Sequence, residues 1–247
     1  MVSFTSIGVL LFAIPFTVIA LHSFREYLRD KKNPKKKHLF YAFLCISTGC
    51  VINLACALMV SQNMSPSELM IVNVLSKLFD VFNIIGAFFG FCFLTDFMQN
   101  LKKYIPFVFI HMAITAIIIL STKAGIIFID GSEFAIDRAG IRSIAIIFFW
   151  FLYWSITAYQ FWKCSRLMTN KVAMRRCQMM STGAVFAVLA YVAVILAKVY
   201  QSTILVFFGE FSAMLAGVVL YIGFVAPERL RRRWEKQTNK LMTSPKK

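Results

Sequence analysis

The 247-residue chain is 59% hydrophobic and only 15% charged, with a mean hydropathy of +0.71. A soluble domain carries about 25% charged residues, and this much apolar surface exceeds what a water-excluded core takes in. The net charge of +16 does not indicate nucleic acid, because the bases lie in short connections between long apolar runs.

Seven apolar segments follow one another, near 4–22, 39–60, 70–96, 105–122, 143–162, 179–200 and 203–225. Roughly 20 apolar residues cross the hydrocarbon layer as a helix. The runs are continuous rather than alternating, which argues against barrel strands, and a helix satisfies every backbone group within its own segment. The first run has no basic leader, and no small-residue cleavage site follows Ala20, so it reads as a retained helix rather than a signal peptide. The predicted fold is therefore all-α: a polytopic membrane bundle of seven transmembrane helices over residues 1–226.

The connections orient the bundle. Seven bases stand between Leu21 and Leu39, Lys102 and Lys103 follow the third segment, and Lys163, Arg166, Lys171, Arg175 and Arg176 follow the fifth. Eight more, from Arg229 to Lys247, fill residues 227–247, which read as a basic tail. The alternate connections hold Lys123, Arg138 and Arg142. Basic connections stay in the cytoplasm, so the N-terminus is expected outside and the tail inside. On the outer side, 124–142 contains two short β-like runs around Asp130-Gly131, a hairpin signal that predicts a small extracellular hairpin. Segments one to three and five to seven share no motif, which weighs against a transporter of duplicated halves.

Ionisable residues inside a span are costly and by default face the interior and a partner. Asn73, Lys77 and Asp80 fall at i, i+4 and i+7 on one face of the third segment; Lys198 ends the sixth and Glu210 lies in the seventh. Counted from the outer end at about 1.5 Å per residue, Lys77 and Glu210 sit about 10 Å deep and Asp80 about 15 Å. These five residues, Asn73, Lys77, Asp80, Lys198 and Glu210, are the candidate ligand-binding set in the outer half. Two arrangements are open: structural pairs, Lys77 with Asp80 and Glu210 with Lys198 or Lys77, or a polar cavity where a ligand exchanges for those pairs. A proton path is the weakest reading, since only Asp96 continues it at the inner edge.

Catalytic chemistry has no carrier in the sequence. His22, His38 and His111 are scattered, and neither HExxH, paired acids nor a phosphate-cradling glycine loop occurs. Cys45, Cys50, Cys56, Cys92, Cys164 and Cys177 have no CxxC or metal-ligand spacing and read as small apolar filler, four in helices and two in a basic loop. No enzyme activity, metal or cofactor is expected. The aromatic runs 88–93 and 148–154 suit packing against lipid and the membrane interface.

LYIGFVAPERLRRRW at Leu220 to Trp234 resembles the end of the seven-helix sensor region found at the N-terminus of membrane histidine kinases. FLTDFMQNLKKYIPFVF at Phe93 to Phe109 resembles its passage from third to fourth helix, and the RLMTNKVAMRRCQ loop before the sixth segment also fits. The resemblance spans nearly the whole chain and implies a prokaryotic cell membrane. It departs at the tail: kinase members continue into a dimerisation helix with a phospho-accepting His and an ATP-binding domain, and 227–247 holds neither. The expectation is thus a stand-alone sensor or receptor-like protein that binds a small ligand in its outer half and signals through a separate partner. The alternative is a non-catalytic accessory or scaffolding subunit of a larger membrane complex, with a small transporter behind both. Pro227 should end the last helix, and the following arginines should meet anionic headgroups of the bilayer.

Overall fold

The computed structural model describes residues 4–130, 133–138 and 140–243. Seven long helices form the body: α1 (Phe4–Arg29), α2 (Pro34–Met59), α3 (Pro66–Thr95), α4 (Ile105–Ser121), α5 (Gly140–Leu167), α6 (Lys171–Tyr200) and α7 (Thr203–Val225). All seven are long and apolar enough to cross a membrane, that of α4 together with the 3-10 turn Gln99–Tyr104 that leads into it. The all-α bundle of seven spans is the fold of the chain.

Several helices outrun their apolar segments, and capping explains the excess. The third segment begins four residues early because Ser65 and Glu68 form a capping box over Pro66: Glu68 N–H donates to Ser65 Oγ (3.4 Å) and Ser65 N–H to Glu68 Oε2 (2.6 Å). Asn33 caps α2 by accepting from Lys35 N–H, and Asn170 caps α6 by accepting from Val172 and Ala173 N–H. These polar first turns carry basic residues, so hydropathy alone stops short of them.

α1 packs between α2 and α7, α3 against α2 and α5, and α6 between α5 and α7, which closes a ring. α4 leans on its outside against α3 and α5. In the most apolar window of each helix, 56% of α3 is buried but only 17% of α4, so α3 is the hub and α4 a peripheral strut. The remaining faces display Leu10, Ile14, Val51, Ile117, Ile144 and Phe151 outward, the surface that a bilayer covers. Close helix approaches rest on small residues. A Cβ on Gly86 of α3 would stand 2.6 Å from Ile46 and 3.0 Å from the Ala42 carbonyl of α2.

Two strands, β1 (Ala124–Asp130) and β2 (Glu133–Arg138), pair antiparallel between α4 and α5 and cover one end of the ring. At the opposite end, the chain does not continue as an unstructured tail. α7 closes on Ala226 in the left-handed conformation (φ 46°), whose N–H returns to Ile222 O, and a further helix, α8 (Glu228–Thr243), starts after Pro227. Arg176 of α6 secures that exit, donating to the carbonyls of Gly223 (2.9 Å) and Phe224 (2.7 Å). All six cysteines are free, and the two expected in a loop lie on α5 and α6.

Candidate functional site at the hairpin end

The polar groups of the bundle concentrate beneath the β-hairpin, around Asp80. Asp80 is fully buried four helical turns into α3, and two arginines converge on it. Arg138, the last residue of β2, forks onto it through Nε to Oδ2 (2.8 Å) and Nη2 to Oδ1 (3.0 Å). Arg142, in the first turn of α5 and itself 0% exposed, reaches Oδ2 through Nε (3.0 Å) and Nη2 (2.6 Å). The same Nη2 donates to Ser76 Oγ (2.7 Å), one turn before Asp80 on α3. Charge-assisted forks of this kind are the strong members of the hydrogen-bond family.

One carboxylate therefore faces two guanidinium groups. Burial works against the charge of Arg138, but the Asp80 carboxylate, with Tyr191 adding to it, outweighs burial and raises its pKa above the ordinary arginine value. The cluster keeps a surplus positive charge. Its unspent hydrogen-bonding capacity is specific: Arg142 Nη1 and Trp150 Nε1 are buried without an acceptor. Arg142 and Trp150 are eight residues apart on α5, hence on the same side of that helix, and Trp150 stacks on Tyr191 of α6 (5.1 Å between ring centres). The pocket around Asp80 thus ends in donors, a setting for an acceptor or an anion.

The five residues singled out by sequence all lie at this end but divide into three groups. Asn73 Oδ1 accepts the Ala124 N–H (2.8 Å), and Lys77 Nζ donates to Leu120 O (2.7 Å), so both tie α3 to the junction of α4 with β1. Asp80 and Lys198 share one network: Lys198, in the last turn of α6, pairs with Asp137 and donates to the Arg138 carbonyl (3.2 Å). Glu210 stands apart, its carboxylate packed on Gly8 of α1, where a Cβ would come within 1.6 Å of Oε2. The pairs expected from sequence are corrected accordingly. Lys77 does not pair with Asp80, which the hairpin arginines claim first, and Glu210 meets neither Lys198 nor Lys77, because Lys198 is held by Asp137 and Lys77 by a backbone carbonyl.

Sequence reasoning missed Ser76, Asp137, Arg138, Arg142 and Tyr191. The signal for the arginines was present: Asp137-Arg138 and Arg142 are the charged groups of an outer connection otherwise made of small and apolar residues, four positions apart at a helix start. His111, read as a lone packing residue, has its Nδ1 3.0 Å from Tyr153 Oη and packs on Phe148 and Phe149. Among the described residues no group of acids, histidines and cysteines could hold a metal ion. No family model, curated protein or solved structure matches the chain.

Proposed function

We propose that this seven-helix membrane protein is a sensor or receptor-like protein of a cell membrane, with the β-hairpin outside and α8 in the cytoplasm. A small ligand acts at the hairpin end, and the response passes to a partner protein. The observation that carries this reading is the two-to-one meeting of Arg138 and Arg142 with Asp80, with Arg142 Nη1 left unbonded. A buried cluster with surplus charge and an unspent donor changes its pairing when an acceptor arrives, and a ligand shifts a protein only through such differential contacts. Since Arg138 ends β2 and Arg142 begins α5, a change at Asp80 moves hairpin and helix together. The hairpin-end placement of Asn73, Lys77, Lys198 and Glu210 supports the outer half as the ligand side, with Asp80 rather than the whole set as its centre. α8 fits a cytoplasmic lipid contact: Arg229, Arg231, Arg232 and Arg233 cluster there beside the buried Trp234, as a helix on anionic headgroups requires.

The deciding experiment is affinity purification of the tagged protein from its host in mild detergent, followed by mass spectrometry. Recovery alone or with a kinase or other signalling protein is the expected result. Stoichiometric recovery with subunits of a respiratory or transport enzyme would overturn the sensor in favour of an accessory subunit.

A further inference from the structure

Away from the hairpin, α2, α3, α5 and α7 enclose a second space, an apolar cleft of about 490 Å³ with its open mouth included. Five aromatic rings shape it: Phe43, Phe93, Trp154, Phe161 and Phe224. Edge-to-face contacts of Phe224 with Phe43 (5.1 Å) and Phe93 (5.5 Å) hold the walls in place. On α3 the wall is Gly90, and a Cβ built there meets no atom within 4 Å, so the chain leaves this position empty. Gly86, one turn earlier, is filled against α2, which shows that the vacancy at Gly90 is not a requirement of helix packing.

The polar capacity of the lining is nearly spent. Tyr153 Oη is bonded to His111, and Thr157 Oγ1 donates to the Tyr153 carbonyl (2.8 Å). Trp154 differs. It is 9% exposed, it lines the cleft, and its Nε1–H is buried without an acceptor. An unsatisfied buried donor is expensive in hydrocarbon, and an acceptor brought by a ligand removes that penalty.

We infer that this cleft binds a flat, membrane-soluble ring that bears a carbonyl, a quinone-type molecule, with the carbonyl accepting from Trp154 Nε1. Aromatic walls favour a planar ring over a flexible acyl chain through stacked and edge-on contacts. The absence of a charged group among the lining residues excludes a ligand that carries a full charge into the cleft. The ligand enters from the bilayer, where such molecules concentrate. This site is separate from Asp80 and does not depend on the signalling role proposed above.

The test uses the full chain in lipid nanodiscs and tritiated duroquinone, whose fully substituted ring does not add to the free thiols. Saturable binding above that of empty discs is expected. Gly90→Leu, which fills the vacancy, should reduce affinity at least tenfold while leaving the unfolding temperature at or above that of the parent. Trp154→Phe, which keeps the ring and removes the donor, should weaken binding about tenfold, the worth of one hydrogen bond. Binding no greater than in empty discs, or binding unchanged in Gly90→Leu, overturns the proposal. Palmitic acid that displaces duroquinone at equal concentration overturns the ring preference. If Gly90→Leu does not fold, photo-crosslinking with an azido derivative decides: label on α3 and α5 peptides around Gly90 and Trp154 supports the site, and label elsewhere refutes it.

Discussion

At Asp80, one side chain accepts four hydrogen bonds from two arginines in a region without water. Removing the shared partner leaves two cations unpaired, whereas removing Arg138, whose side chain is 14% exposed, leaves Asp80 still held by Arg142. Breaking a buried pair costs about 3–5 kcal/mol. Asp80→Ala is therefore expected to unfold far below the parent in detergent melts, and Arg138→Ala to shift the midpoint much less; equal shifts would contradict the shared-acceptor arrangement. The acid itself was legible in the sequence, because a carboxylate in an apolar run is conspicuous. Its partners were not. Arg138 and Arg142 precede the fifth apolar run and score as loop, yet the hairpin folds them back over α3, and that return depends on tertiary pairing rather than local pattern.

Among the elements, the contrast within α3 is the sharpest. Gly86 and Gly90 lie on one helix and face the same neighbours in sequence, but one is packed and the other is not. Gly86→Ala must displace Ile46 or the α2 backbone and should destabilise by about 1–3 kcal/mol, as overpacking does. Gly90→Ala meets nothing and should stabilise by up to about 1 kcal/mol through helix propensity. Melting both variants side by side checks the difference, and a loss at Gly90 would show that the cleft is closed in solution. The existence of all seven spans was readable from hydropathy, and Asp-Gly marked the hairpin. Helix ends were read short wherever a polar cap extends the helix into water, as at Ser65, Asn33 and Asn170. Residues 227–247 read as a tail because their charge hides a helical face. With Leu230 and Trp234 one turn apart, Trp234 buried, and Arg231–Glu235 and Arg232–Glu228 pairs on the exposed side, the stretch is helical as α8.

For the whole molecule, the proposed orientation makes a direct prediction. In a cysteine-free background, Lys123→Cys beside the hairpin should react with a membrane-impermeant maleimide on intact cells. Arg229→Cys at the start of α8 should react only after permeabilisation, and the reverse pattern would invert the bundle. One joint in the ring bears on how the ring is made. α6 and α7 are linked through Gln201 in the left-handed conformation (φ 46°) and Ser202 alone, so the two helices cannot separate by more than a turn of chain. Their faces are matched along the whole length, with Gly183 against Leu220, Gly209 against Ala190 and Gly223 against Met180. A ribosome making this protein therefore delivers its last two spans as a closed hairpin, already packed before it leaves the insertion machinery. The ring is completed by docking that finished pair onto α1 and α5, not by adding helices one at a time.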